Sequence, residues 1–202
     1  MSTNYTASDI TILEGLEPVR KRPGMYIGGV GEAGLHHLVW EVLDNAVDEA
    51  INGHASYITV YLERDGQSIS VEDNGRGIPI EPHPKDKAGR STLEVIFTEL
   101  HAGGKFEQGA YRTAGGLHGV GASVVNALSK NLCVRVRRNG QLHEQQFSRG
   151  RPLGPIAVVG DARGTGTYVR FTPDQEIFET TTFDPDIIAR RLEVKTYLHE
   201  GL

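Results

Sequence analysis

Apolar residues recur along this chain at two periods, and the switches between them outline its elements. From about Leu35 to Asn52 the apolar positions Leu38, Val39, Val42, Leu43, Ala46 and Ala50 return every three or four residues, which predicts a long amphipathic helix. Between Tyr57 and Glu63 the period drops to two, with Ile58, Val60 and Leu62 facing inward. Asp65-Gly66 then turns the chain into a second strand over Ser68 to Glu72. Ser91 with Glu94 spells a capping box and opens a helix running to about Leu100. A further helix is expected over Val120–Ser129. Leu132, Val134 and Val136 then alternate up to the hairpin signal Asn139-Gly140. Strands follow near Ile156–Val159 and Tyr168–Thr172, and a last helix covers about Pro185–Leu198. A short helix at Pro18–Arg22 precedes all of these. Hairpin-linked strands interspersed with helices predict an α+β two-layer sandwich, with a mostly antiparallel sheet and helices on one face.

The polar side of the long helix is unusual. At about 100° per residue, His37, Asp44, Asn45 and Asp48 all fall within about 60° of Glu41, and apolar residues border the stripe on both sides. No Lys or Arg occurs from Pro23 to Glu63, so no local base neutralises these carboxylates. Crowded carboxylates are costly to bury and raise one another's pKa, and a bound cation is the natural remedy. The bland alternative is the solvated face of an ordinary amphipathic helix. A narrow arc that lacks basic residues and includes an amide and a His favours a site.

Two glycine-bearing loops add chemistry. Asp73-Asn74-Gly75-Arg76-Gly77-Ile78-Pro79 ends the second strand, and its glycines suit positive φ or close backbone approach. An Asp held there can accept a hydrogen bond from a flat ligand's amino group, although Asp-Asn-Gly also forms plain Asx turns. Gly115-Gly116-Leu117-His118-Gly119-Val120-Gly121 leads into a helix, and exposed N–H groups there suit a phosphate. It is neither a Walker A loop nor a dinucleotide fingerprint. Gly104-Lys105 has Glu99 where the leading Gly belongs and Phe106 where Ser or Thr is needed, and Gly119-Val120-Gly121 has Val124 in the third glycine's place.

At 202 residues one domain with a sizeable core is expected. The net charge of −5 marks no nucleic-acid surface, and Arg20-Lys21-Arg22 and Arg190-Arg191 read as solvated spots. Cys133 is the only cysteine, which excludes an internal disulfide and fits a cytoplasmic, reducing location. No signal peptide and no membrane-spanning apolar run is present.

These elements, in this order, resemble the ATPase fold shared by gyrase, heat-shock chaperones, histidine kinases and the mismatch-repair protein MutL. Val19-Arg-Lys-Arg-Pro-Gly-Met-Tyr-Ile-Gly28, the long helix, Asp73 to Pro79, His101-Ala-Gly-Gly-Lys-Phe106, the glycine loop and Gly164-Thr-Gly-Thr167 narrow it. Together they resemble the ATPase domain of the bacterial type II DNA topoisomerases, the gyrase B branch before the topoisomerase IV branch. The resemblance implies residues 1–17 as an N-terminal arm and 18–202 as an ATP-binding domain that stops before a second, transducer domain. That next domain would supply a lysine to the γ-phosphate, so the fragment alone is expected to turn over little.

Carried over, the resemblance makes Glu41 the general base and His37 its tuning partner. Asn45 is the Mg²⁺ ligand, and Asp48 and Glu49 belong to the surrounding polar network. Asp73 accepts the adenine amino hydrogen, supported through a water by Thr167, with Gly77 beside the base. Lys105, Tyr111 and the loop Gly115 to Gly121 form the lid over the phosphates. Arg76, Ile78, Pro79 and Arg138 border the pocket, with Arg76, Pro79 and Arg138 at the rim where aminocoumarin antibiotics sit. Tyr5 and Ile10 mark the arm that embraces a second copy on ATP binding, and a gyrase A-type partner and DNA are expected to engage parts outside this chain. Two rivals stand beside this reading. One is a metal-dependent hydrolase drawing His37, Glu41, Asp44 and Asp48 from a single helix, where metal sites usually recruit several elements. The other is a non-enzymatic dimerisation module switched by nucleotide.

Overall fold

A computed structural model describes residues 13–102 and 120–198 of the chain. Two short helices, α1 (Glu17–Lys21) and α2 (Gly24–Ile27), lead into the long helix α3 (Glu32–Ile51). α3 begins one turn earlier than the apolar period suggested. Gly34 sits in that first turn, where a Cβ would stand 1.9 Å from the Gly29 carbonyl oxygen, so backbone contact rather than an apolar side chain anchors it. Its other end is signalled locally. The Asn52 side-chain amide donates to the Asp48 carbonyl at 2.8 Å, and Gly53 follows with φ of 78°.

Next come β1 (Ile58–Leu62) and β2 (Ile69–Asp73), an antiparallel hairpin that pairs Val60 with Val71. Helix α4 (Thr92–Thr98) is capped as its sequence foretold, the Ser91 side chain accepting the Glu94 N–H at 3.1 Å. It ends two residues short of Leu100, because Glu99 is already extended and His101 takes φ of 60°. Helix α5 (Gly121–Ala127) also stops early. Ser129 was expected inside it and instead starts β3 (Ser129–Arg138). Its hydroxyl donates back to the Val125 carbonyl at 2.6 Å, while its own carbonyl accepts from the Arg149 N–H across the sheet. The remaining strands are β4 (Gln141–Ser148), β5 (Arg151–Pro152), β6 (Ala157–Asp161) and β7 (Gly166–Pro173), and α6 (Pro185–Leu198) has the expected bounds. Asn139 and Gly140 both adopt positive φ, which makes the tight β3–β4 turn.

Among the described residues the sheet has seven strands in the order β1-β2-β7-β3-β4-β5, with β6 also on β4, and every pairing is antiparallel. Register places Ile69, Phe171, Leu132 and Phe147 in one cross-strand row, and Val71, Val169 and Val134 in the next. All are buried, together with Leu35, Leu38, Val39, Val42 and Leu43 of α3, Leu93 and Phe97 of α4, and Val124 and Val125 of α5. The opposite face is polar, with the ion pairs Arg135–Glu144 at 2.7 Å, Arg170–Glu63 at 3.2 Å and Arg137–Glu72. Cys133 lies half-buried on this face, and burial pushes its thiol up to about 11, out of the reactive range.

Candidate active site

Asp73 is the last residue of β2, and period-two alternation puts it on the same face as Ile69 and Val71, the face that the helices cover. It is therefore a carboxylate at the edge of an apolar core, with 6 % of its surface exposed. Burial pushes its pKa up to about 6, and the nearby Glu49 adds to the rise. Backbone N–H groups of Gly75 (2.8 Å) and Thr167 and the Arg137 guanidinium pull the other way. Above that value it is ionised and can accept a hydrogen bond as an anion.

The turn after Asp73 uses its two glycines for different reasons. A Cβ on Gly75 would stand 2.8 Å from a Glu49 carboxylate oxygen and 2.9 Å from Asp73, so close approach is the constraint there. Gly77 needs its φ of 76°, and a Cβ would also press on the Arg137 carbonyl at 3.0 Å. Arg76 donates to Glu49 three times, from its backbone N–H (2.9 Å), Nε (3.1 Å) and Nη2 (2.7 Å). Arg138 braces the same turn from β3, its Nη1 donating to the Gly77 carbonyl at 3.0 Å. Ile78 is half-buried against the core, and Pro79 is exposed beyond it.

On α3, His37 Nε2 and Glu41 Oε1 are 3.0 Å apart, one helical turn from each other. The Glu41 carboxylate beside it holds the His37 imidazole above its ordinary value. Burial opposes this, Asp44 adds to it, and Arg191 subtracts. The other Glu41 oxygen rests against the start of α5, where a Cβ on Gly121 would lie 2.0 Å from Oε2. Val120 precedes it, packed on the core. Asn45 is exposed on the same stripe, whereas Asp48 is fully buried.

The stripe is less bare of bases than its own segment suggested. Cations from distant segments reach it and its border: Lys195 of α6 pairs with Asp44 at 2.8 Å, and Arg76 pairs with Glu49 just outside the stripe. Sequence proximity excluded a neutralising base, and tertiary folding supplies two. That pairing counts against direct metal ligation by Asp44, and no group of three or more His, Cys, Asp or Glu among the described residues could hold a metal ion. Asn45 remains a suitable oxygen donor, because Mg²⁺ at phosphate sites commonly takes one or two protein ligands and completes its shell with phosphate and water.

Lys105, Tyr111, Gly115, Gly116, Leu117, His118 and Gly119, named for the lid, lie outside the described residues, as do Tyr5 and Ile10 of the arm. Two further residues of the site were assigned no role by the motifs above. Arg137 donates to the Asp73 carbonyl at 3.1 Å, and Gly166, with φ of 148°, would place a Cβ 2.2 Å from that same oxygen. Gly166 was legible as part of the Gly-Thr-Gly-Thr run, whereas Arg137 looks like any outward-facing strand Arg.

Residues 31–177 match the family described as histidine kinase-, DNA gyrase B- and HSP90-like ATPase. The chain is 57% identical to the DNA gyrase B protein of Thermotoga maritima over 198 residues, which cover 98% of this chain and 31% of that one. It is 60% identical to the B protein of DNA topoisomerase 4 from Caulobacter vibrioides over 199 residues, 98% of this chain and 28% of the relative. It thus spans about a third of the length of these curated relatives. Among solved structures, the 43K ATPase domain of Thermus thermophilus gyrase B in complex with an aminocoumarin superposes with a TM-score of 0.81. That match has 50% identity and covers 93% of this chain and 46% of the other. Among the described residues no helix is long and apolar enough to cross a membrane. With the family match covering most of the chain and the fold superposing on a gyrase B ATPase domain, the chain belongs to the histidine kinase-, DNA gyrase B- and HSP90-like ATPase family.

Proposed function

We propose that this chain is the ATP-binding and ATP-hydrolysing domain of a gyrase B-type protein. In the whole enzyme, ATP-driven closure of two copies would power DNA strand passage and negative supercoiling. The observation that carries the reading is the buried Asp73 carboxylate at a strand end, held near Glu49 of the same helix whose earlier turns carry the His37–Glu41 pair. Adenine offers Asp73 an amino hydrogen, while guanine would present a carbonyl oxygen to the same anion. Gly77 lies flat beside the base, and Thr167 holds Asp73 from the neighbouring strand.

Glu41 accepts a proton from the attacking water, and His37 orients that carboxylate through Oε1. Asn45 would hold Mg²⁺ through its side-chain oxygen, and the ion would supply charge neutralisation at the phosphates. On this reading Lys105, Tyr111 and the loop from Gly115 to Gly121 would serve to bind the phosphates, and Tyr5 and Ile10 to engage the second copy. Arg76, Pro79 and Arg138 form the rim for aminocoumarin-type inhibitors, in keeping with the complex formed by the Thermus domain. A cytoplasmic location, a gyrase A-type partner and DNA engagement through the rest of the enzyme follow from the same reading. The second reading is the equivalent topoisomerase IV protein acting in decatenation, which the 60% identity to the Caulobacter relative supports.

Calorimetry with ATP and GTP tests the site. Hydrogen bonds to charged groups are worth about 1.5–3 kcal/mol, or roughly 10- to 150-fold in affinity. Asp73→Asn should weaken ATP by that order and narrow its preference over GTP. Equal binding of the two nucleotides by the unaltered chain would reduce Asp73 to a turn residue.

A further inference from the structure

Helix α6 lies along α3 beside the row that carries His37, Glu41 and Asn45. Its contacts fall on the adjacent row, one residue back at each turn. His36 Nε2 accepts the Asp184 N–H at 3.0 Å, just before α6, while His36 Nδ1 donates to the Glu32 carbonyl at 2.8 Å. One turn on, the Arg191 guanidinium covers the Trp40 ring at 5.4 Å. One turn further, Lys195 Nζ meets Asp44 Oδ1 at 2.8 Å, with side chains only 16% and 19% exposed. Positions 36, 40 and 44 are thus clamped by α6, and the site row is their immediate neighbour on the same helix.

Asp44 shares a face with His37 and Glu41, three residues beyond the latter. A half-buried carboxylate there, left without its cation, adds negative potential to the His37–Glu41 pair. That potential favours the charged form of His37, which engages the Glu41 carboxylate more strongly than a neutral imidazole does. The charged groups facing His37 are Glu41 and Asp44 from α3 and Arg191 from α6.

We propose that Lys195 is a positioning residue for hydrolysis: by pairing with Asp44 from α6 it completes the charge balance beside the His37–Glu41 pair and leaves Glu41 competent as a base. The proposal rests on the reading of Glu41 as the base, and it extends the site to a helix outside the row of His37, Glu41 and Asn45. It also makes α6 a route by which whatever bears on that helix alters hydrolysis without entering the pocket.

The test is an NMR titration of the His37 ring in the full chain, for the unaltered protein, Lys195→Met, Lys195→Arg and Asp44→Asn. Interactions between partly solvated charges at this range are worth about 0.3–0.5 pH unit. The His37 midpoint should rise by that amount in Lys195→Met, return in Lys195→Arg and fall in Asp44→Asn. The acid limb of the kcat–pH profile should move with it, and KM for ATP should hold. The remaining histidine resonances report whether each variant is folded, and Lys195→Gln serves in place of any variant that is not. A midpoint, or a limb, that stays put in both Lys195→Met and Asp44→Asn overturns the proposal. The midpoints need no turnover, so the Glu41 reading fails separately, if Glu41→Gln hydrolyses ATP at the unaltered rate.

Discussion

At the residue scale, the chemistry depends on carboxylates placed in different surroundings. Glu41 stays half-exposed with a His partner at 3.0 Å, whereas Asp73 is buried and pushed up to about 6. On the proposed reading one takes a proton from water and the other accepts a fixed hydrogen bond. Glu41→Gln keeps the shape and loses the base. ATP affinity should hold within about threefold while hydrolysis falls about 10²–10⁴-fold, the usual contribution of a positioned general base. Single-turnover phosphate release in the intact enzyme measures it, and undiminished turnover would remove Glu41 from the role.

Burial of Asp73 also has a sign. Its folded pKa lies above the ordinary 3.8, so the native state binds this proton more tightly than the unfolded chain. Between about pH 4 and 6 this group therefore makes the fold less stable as pH rises. Asp73→Asn should gain on the unaltered protein by about 2 kcal/mol between pH 4.5 and pH 7. Denaturant titrations at the two pH values give the difference, and an equal gap at both would mean that Asp73 is not desolvated as described.

At the scale of elements, the site is a meeting of ends. The end of β2 supplies Asp73, the middle of α3 supplies Glu41, and the start of α5 closes on Glu41 through Gly121. Only a glycine allows that contact, since a Cβ would come within 2.0 Å of Glu41 Oε2. Gly121→Ala should displace the carboxylate and lower kcat about 10- to 10²-fold, as misplacement of a catalytic group by about an ångström does. Adenine binding at Asp73 should change little, because β2 is untouched. An alanine variant with full activity would show that the α3–α5 contact is not needed.

At the scale of the whole molecule, a polar outer face and an apolar inner face make the sheet a platform, and α3 packs on its inner face. The seven antiparallel strands give β2 neighbours on both sides. Asp73 is thereby held by β7 through Thr167 and by β3 through Arg137, two segments far away in sequence. α6 returns from the far end of the chain to lie on α3, which links the last described element to the first long one.

Period and punctuation alone determined much of this. The inward alternation of Leu132, Val134 and Val136, the Ser91 cap, the Asn139-Gly140 turn and the span of α6 are local signals, because side-chain direction and allowed φ depend on a residue and its near neighbours. The row of His37, Glu41 and Asn45 was legible for the same reason, since helical geometry fixes which residues share a face. Only tertiary structure decided what surrounds that row. No sequence-local base stands near Asp44 or Glu49, yet Lys195 and Arg76 reach them from segments separated by other elements. The raised pKa of Asp73, the brace from Arg137 and the contact of Gly121 with Glu41 depend on burial and on long-range proximity. Desolvation and Coulomb interaction follow distance in space, which period along the chain does not encode.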